Sequence, residues 1–139
     1  MREILFRGKE KNSGEWIYGD LRHISDGHGG YILCIVDNTN GRNNDVTGVE
    51  VVPKTVGQYT GLTDKSRTKI FEGDIIEGHR SSQWNHELMR CVITYNRDHF
   101  EARYYPRGIH GNYFTYKIMF SKDVVVIGNI YDNPELMEG

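Results

Sequence analysis

Six histidines (His23, His28, His79, His86, His99 and His110) and two cysteines (Cys34 and Cys91) are the side chains of this sequence best suited to hold a transition metal. A structural zinc site draws four ligands from short-spaced patterns such as Cys-x2-Cys or His-x3-His. No such spacing occurs. His23 and His28 stand five apart across an expected hairpin, and His79 and His86 straddle an expected loop. A fold could gather His79, His86 and Cys91, but nothing in their spacing selects a metal, so the histidines read as solvated loop and edge positions. Cys34 stands between Leu33 and Ile35, Cys91 is followed by Val92 and Ile93, and each reads as a reduced core thiol. No metal and no cofactor are expected.

General acid–base chemistry needs two carboxylates converging on a cleft, or a histidine with a partner. Glu72 and Asp74 are close enough in sequence to face one way, yet they flank Gly73. A turn explains them better, with Gly73 supplying permissive backbone and Asp74 a side-chain-to-backbone hydrogen bond. Asn96-Arg97-Asp98-His99 could pass for a nuclease-like cluster, but four polar residues between two strands are what a hairpin tip requires. Ser81, Ser82 and Ser121 lack the strand-to-helix elbow of a nucleophilic serine. The closely spaced glycines at 27–30 (Gly-His-Gly-Gly) and 108–111 (Gly-Ile-His-Gly) lack the setting of a phosphate loop. The chain reads as a non-enzyme.

Nucleic-acid binding is the stronger rival. Small β-barrels bind strands through exposed aromatics beside basic residues, and Arg97, Arg103, Tyr104, Arg107, Tyr113 and Lys117, with Tyr105 and Tyr116 between them, supply that mixture. Against this, alternating aromatics are ordinary sheet-packing residues. The formal charge is -2, with +1 over residues 1–69 and -3 over 70–139. A dedicated phosphate-backbone binder carries a strong basic excess. The balance weighs against nucleic acid without removing it.

The elements that must position these residues are strands. A chain of 139 residues is the size of one domain or two very small ones, and can hold a core without disulfides or metal. Sixteen glycines, three prolines, many Tyr, Ile and Val, and no sustained helical period favour β-structure. Strands are expected at Glu3–Arg7, Trp16–Ile24, Tyr31–Val36 and Val49–Val52, with a turn over Lys9–Glu15 and a hairpin loop over Asp26–Gly30. Asp37–Gly48, rich in Asn, Asp and Gly, predicts a long exposed, mobile loop. Thr63–Lys69 is the best internal boundary. Beyond it, strands are expected at Asp74–His79, Arg90–Tyr95, Phe100–Tyr105, Tyr113–Phe120 and Val124–Tyr131, with helical turns over Ser81–Leu88 and Pro134–Met137. This predicts a mostly β protein: a small N-terminal β-unit over residues 1–62 and a C-terminal SH3-like barrel over 70–139.

Several motifs recur in an order that resembles the YopX family of phage and prophage proteins. They are Arg2-Glu3-Ile4-x-Phe6-Arg7, Trp16-x-Tyr18-Gly19-Asp20-Leu21, Val56-Gly57-Gln58-Tyr59-Thr60-Gly61-Leu62 with Asp64-Lys65, Ile70-Phe71-Glu72-Gly73-Asp74-Ile75-Ile76, and Val126-Ile127-Gly128-Asn129-Ile130-Tyr131-Asp132-Asn133-Pro134-Glu135-Leu136. Gly78–Lys117 fits only as β-rich sequence of the right length. The resemblance implies a phage-encoded, mostly β protein and carries over no catalytic or ligand-binding residue.

The expected function is that of a non-enzymatic phage or prophage accessory protein that binds and oligomerises, with nucleic-acid binding through the Arg103–Lys117 face as the alternative and a hydrolase or metal enzyme third. Short strands leave edges that must be covered or paired. An N-terminal piece carrying Ile4, Phe6, Trp16 and Tyr18 is small enough to need a neighbouring protomer. A homo-oligomer is expected, with a host or phage protein as a further partner. No signal-peptide layout and no apolar run of about 18 residues occurs, so the host-cell cytoplasm is the expected place, away from any membrane.

Overall fold

The computed structural model describes residues 3–37, 48–81 and 86–138. The loop expected over Asp37–Gly48, and the middle of the helical turn expected over Ser81–Leu88, lie outside them, as does Ser82. The described residues are mostly antiparallel β-structure, with two single 3-10 turns and no α-helix among them. They form two compact units, Met1–Tyr59 and Thr60–Gly139. The Thr63–Lys69 segment is a hydrogen-bonded turn (Asp64 N–H to Thr68 O, 2.9 Å).

In the first unit, β1 (Phe6–Lys9), β2 (Trp16–Ser25), β3 (Tyr31–Val36), β4 (Val49–Glu50) and the start of β5 (Gly57–Thr63) lie in the order β4-β3-β2-β1-β5. The first strand begins three residues later than expected and runs two residues further, Gly8 and Lys9 pairing with Ile17 and Trp16. Beta-branched and aromatic residues suit β2 and β3 to a pleated, half-buried surface. Gly19 is where β2 presses against the end of β3: a Cβ there would come within 2.0 Å of the Val36 carbonyl oxygen. Cys34, Ile35, Val36, Val51 and Tyr59 are this unit's buried apolar residues. Trp16 has cationic neighbours within the unit, the Arg7 guanidinium lying 4.5 Å and the Lys9 ammonium 5.5 Å from its ring centre.

In the second unit the rest of β5 runs beside β6 (Lys69–Phe71). Then β7 (Asp74–Ser81), β8 (His86–Asn96), β9 (His99–Tyr104), β10 (Phe114–Tyr116) and β11 (Val125–Asn129) form a five-stranded sheet in the order β10-β9-β8-β7-β11. Strand alternation gives the sheet an apolar cluster on each face. Ile76, Cys91, Ile93 and Ala102 pack with Ile70, Met89, Ile118 and Val124 on one side. Ile75 and Val92 pack with Met137 on the other. Each fully buried isoleucine contributes roughly 1.5–3 kcal/mol by leaving water. The strand expected over Tyr113–Phe120 is only three residues long, because Ile118 turns into the core and the chain then crosses back through a turn at Ser121–Asp123.

Acidic and amide side chains hold the corners. Gly73 sits at φ 91°, and the Asp74 carboxylate accepts the Phe71 N–H at 2.7 Å, as the turn reading of Glu72-Gly73-Asp74 requires. Asp64 accepts the amides of Ser66 and Thr68 (2.8 Å each) and, through its other oxygen, that of Val126 on β11 (2.9 Å). Asn129 accepts the Tyr131 and Asp132 amides at 3.0 and 2.9 Å, closing the Gly-Asn-Ile-Tyr-Asp-Asn run onto the 3-10 turn at Pro134–Met137.

Candidate functional site

The basic and aromatic residues singled out from the sequence fall on three places. Arg97 occupies the β8–β9 turn at φ 59°. It is six residues from Arg103, roughly 20 Å along an extended strand. Arg103 and Tyr104 are neighbours on β9 and therefore point to opposite faces. Tyr104 packs with the Cys91 and Ile93 cluster, while Arg103 is paired with Val92. Tyr113 and Lys117 flank β10 at the sheet's edge, and Arg107 lies in the turn that follows β9. The structure thus brings Arg103, Tyr105 and Tyr113 together and separates Arg97, Tyr104 and Arg107 from them. The period-2 rule applied to Arg103-Tyr104 carried that signal.

One face of β9 holds a chain of polar contacts. His99 Nδ1 lies 2.7 Å from Asp98 Oδ1, and His99 Nε2 lies 3.2 Å from Glu101 Oε2. Arg103 Nε donates to Glu101 Oε1 at 3.2 Å, and the guanidinium stacks on Tyr113, 4.5 Å from its centre. The Tyr113 ring in turn stands 5.4 Å from that of Tyr105. A histidine between two carboxylates satisfies both only when both ring nitrogens carry protons. The hydrogen bond that His99 donates to Asp98 accordingly raises the His99 pKa, and the same bond lowers that of Asp98. Glu101 is buried at 6% exposure, and the Arg103 guanidinium beside it balances its charge.

On the other face, Tyr104 donates to Glu87 Oε1 at 2.7 Å, which with partial burial pushes its phenol up to about 12. Arg80 donates to the Tyr116 hydroxyl at 3.0 Å and stacks on that ring at 5.0 Å.

Ser121, Asp123 and His79 carry the residue types of a hydrolytic triad in the wrong order. Asp123 stands in the middle, taking the Ser121 hydroxyl and, at 2.7 Å, His79 Nδ1. Its carboxyl is thereby held well below the usual range. A nucleophilic serine needs the histidine next to it as base, whereas here Asp123 pins a turn to β7 through the His79 amide at 2.9 Å. Burial pushes the Cys91 thiol up to about 12, which leaves almost no thiolate at neutral pH. Among the described residues, no three His, Cys, Asp or Glu side chains gather in a metal-holding group. Cys91 is enclosed in the core, and its partner Ile76 lies three residues before His79 on β7. His23 is exposed on β2, and His28 donates its amide to Asp26 at 2.7 Å inside the hairpin loop.

A groove of about 430 Å³ runs beside the C-terminal 3-10 turn, lined by Arg107, Ile109, His110, Ile130 and Met137. The sheet's two edges differ more informatively. The outer side of β11 is sealed, with the Val126 amide on Asp64, the Asn129 amide on Asn133 at 3.3 Å, and the carbonyl of Val124, just before the strand, receiving the Lys65 amide at 3.0 Å. Strand β10 pairs with β9 through Phe114↔Tyr104, Thr115↔Arg103 and Tyr116↔Ala102. Among the described residues, no backbone or side-chain group caps its outer side. Tyr113 (46% exposed) and Phe114 (58%) stand beside that open edge.

The model of the family described as YopX protein matches residues 5–138, nearly the whole chain. The chain belongs to the YopX family. Among solved structures, this YopX-family chain is similar to protein EF1440 from Enterococcus faecalis, with a TM-score of 0.55 at 22% identity, over 99% of this chain and 100% of the other. That likeness concerns the fold alone. No curated protein matches the chain at a significant level. No helix among the described residues is long and apolar enough to cross a membrane.

Proposed function

We propose that this YopX-family chain is a phage or prophage accessory protein of the host-cell cytoplasm that works without catalysis, by binding and self-association. The observation that carries this reading is the open edge of β10 beside two exposed aromatic rings, in a sheet whose opposite edge is sealed. An exposed strand edge is a template for another strand, and folded proteins cover or blunt the edges they do not use. The polar clusters support it as well, since Asp74, Asp64 and Asp123 each hold a turn.

Nucleic-acid binding is the second reading, favoured by the Arg103–Tyr113 and Arg80–Tyr116 stacks. Arg103 is already neutralised by Glu101 and the Tyr116 hydroxyl is engaged by Arg80, so self-association ranks ahead. Sedimentation velocity from about 1 to 100 μM is the test. A species heavier than the 16.1 kDa chain is expected, and a clean 16.1 kDa boundary throughout would reject the proposal. A labelled oligonucleotide that shifts at low salt, and stops shifting with Arg103→Ala plus Arg107→Ala, would install the second reading instead.

A further inference from the structure

We infer that β10 is the surface on which a second copy of this chain docks, the two β10 strands pairing antiparallel about a two-fold axis at Thr115. The inference rests on the self-association reading and adds the surface and the register. The complement of an open strand edge is another strand, because only an extended backbone presents amides and carbonyls at the matching repeat. Strand β10 is the edge of its sheet that lacks a cap, whereas Asp64, Lys65 and Asn133 occupy β11. The edge of the first unit's sheet, β4, is two residues long, and Lys11 stands 3.6 Å from its Glu50. Short, charged edges of that kind discourage strand addition.

The sequence Tyr113-Phe114-Thr115-Tyr116-Lys117 is its own complement. In an antiparallel pair related by a two-fold axis perpendicular to the sheet, the axis must pass between a residue and its own copy, since directly opposed side chains share a face. Of such registers, the one centred on Thr115 uses all three residues of the strand. It places Phe114 opposite Tyr116 of the second copy, and Thr115 opposite Thr115. Aromatic pairs and threonine pairs are among the favourable cross-strand combinations. Tyr113 then meets Lys117 of the second copy, a ring facing an ammonium. No carboxylate lies in this run, and the lysines meet rings and not each other. Arg80 already holds the Tyr116 ring in place through its hydroxyl at 3.0 Å, so the receiving surface is preorganised.

A cysteine at the axis tests the register. Full-length Thr115→Cys is oxidised at micromolar concentration alongside Tyr31→Cys, whose site on β3 is 74% exposed. The native Cys34 and Cys91 are buried and do not compete. Thr115→Cys is expected to form a disulfide-linked dimer while Tyr31→Cys stays mostly unlinked. As a second measurement, Phe114→Lys should keep the far-UV circular dichroism of the parent and weaken association at least about tenfold, as loss of an interface anchor does. If the parent is oligomeric but Thr115→Cys links no faster than Tyr31→Cys and Phe114→Lys associates normally, the β10 interface is wrong while self-association stands. If the parent is a monomer at every concentration, both fall.

Discussion

His99 shows how a single residue is set by what surrounds it. Asp98 Oδ1 at 2.7 Å and Glu101 Oε2 at 3.2 Å both ask its ring to donate, and the Asp98 bond is the larger cause of its raised pKa. The contribution of this pair to stability is bounded on both sides. The histidine part is fully present below the unfolded value near 6.5 and is lost as pH rises through the higher folded one. The aspartate part is present above the unfolded value near 3.9 and is lost as pH falls through the lower folded one. The pair therefore acts most fully between about pH 4 and 6.5. Its members are 57% and 88% exposed at the side chain, so the clean readout is the titration itself. An NMR pH titration should place the His99 midpoint above 6.5, and Asp98→Asn should bring it down. A midpoint unmoved by that substitution would show that Asp98 does not set it.

At the scale of elements, a carboxylate with three amide partners is a stronger structural statement than any individual strand. Asp64 closes the β5–β6 turn through Ser66 and Thr68 and ties it to β11 through Val126, with only 7% exposure. Hydrogen bonds to a charged acceptor are worth about 1.5–3 kcal/mol each, and stranded amides recover part of that from water. Asp64→Ala should thus lower the unfolding free energy by about 2–4 kcal/mol in a guanidinium titration with unchanged slope. A loss under about 0.5 kcal/mol would mean the turn holds without it.

Strands β2, β3 and β9 and the Glu72-Gly73-Asp74 turn were legible because alternation and turn chemistry agree there. Strand β10 is shorter than its sequence suggests, since Ile118 and Phe120 have strand-like composition but pack against the core cluster beyond the strand's end. Strand alternation puts Arg103 and Tyr104 on opposite faces, and the same alternation places Glu101 beside His99 and Arg103. Phe114 and Thr115 escaped notice for another reason. Whether a strand is an edge depends on sheet order, which pairs β11 back onto β7 and leaves β10 outside. No local pattern encodes that. Closure of the second unit into an SH3-like barrel likewise goes beyond the strand pairing described.

Across the whole molecule, two small β-units form a scaffold whose proposed working surface is one unsealed strand edge. Amide exchange reads that edge directly, because an amide bonded to a partner strand is protected and a solvated one is not. Hydrogen–deuterium exchange should be followed residue by residue at about 1 μM and about 200 μM. Outward amides among Phe114, Thr115 and Tyr116 should slow at the higher concentration, while that of Val126, held by Asp64, stays equally protected at both. Identical β10 exchange at the two concentrations, in a sample whose mass has risen, would contradict the account.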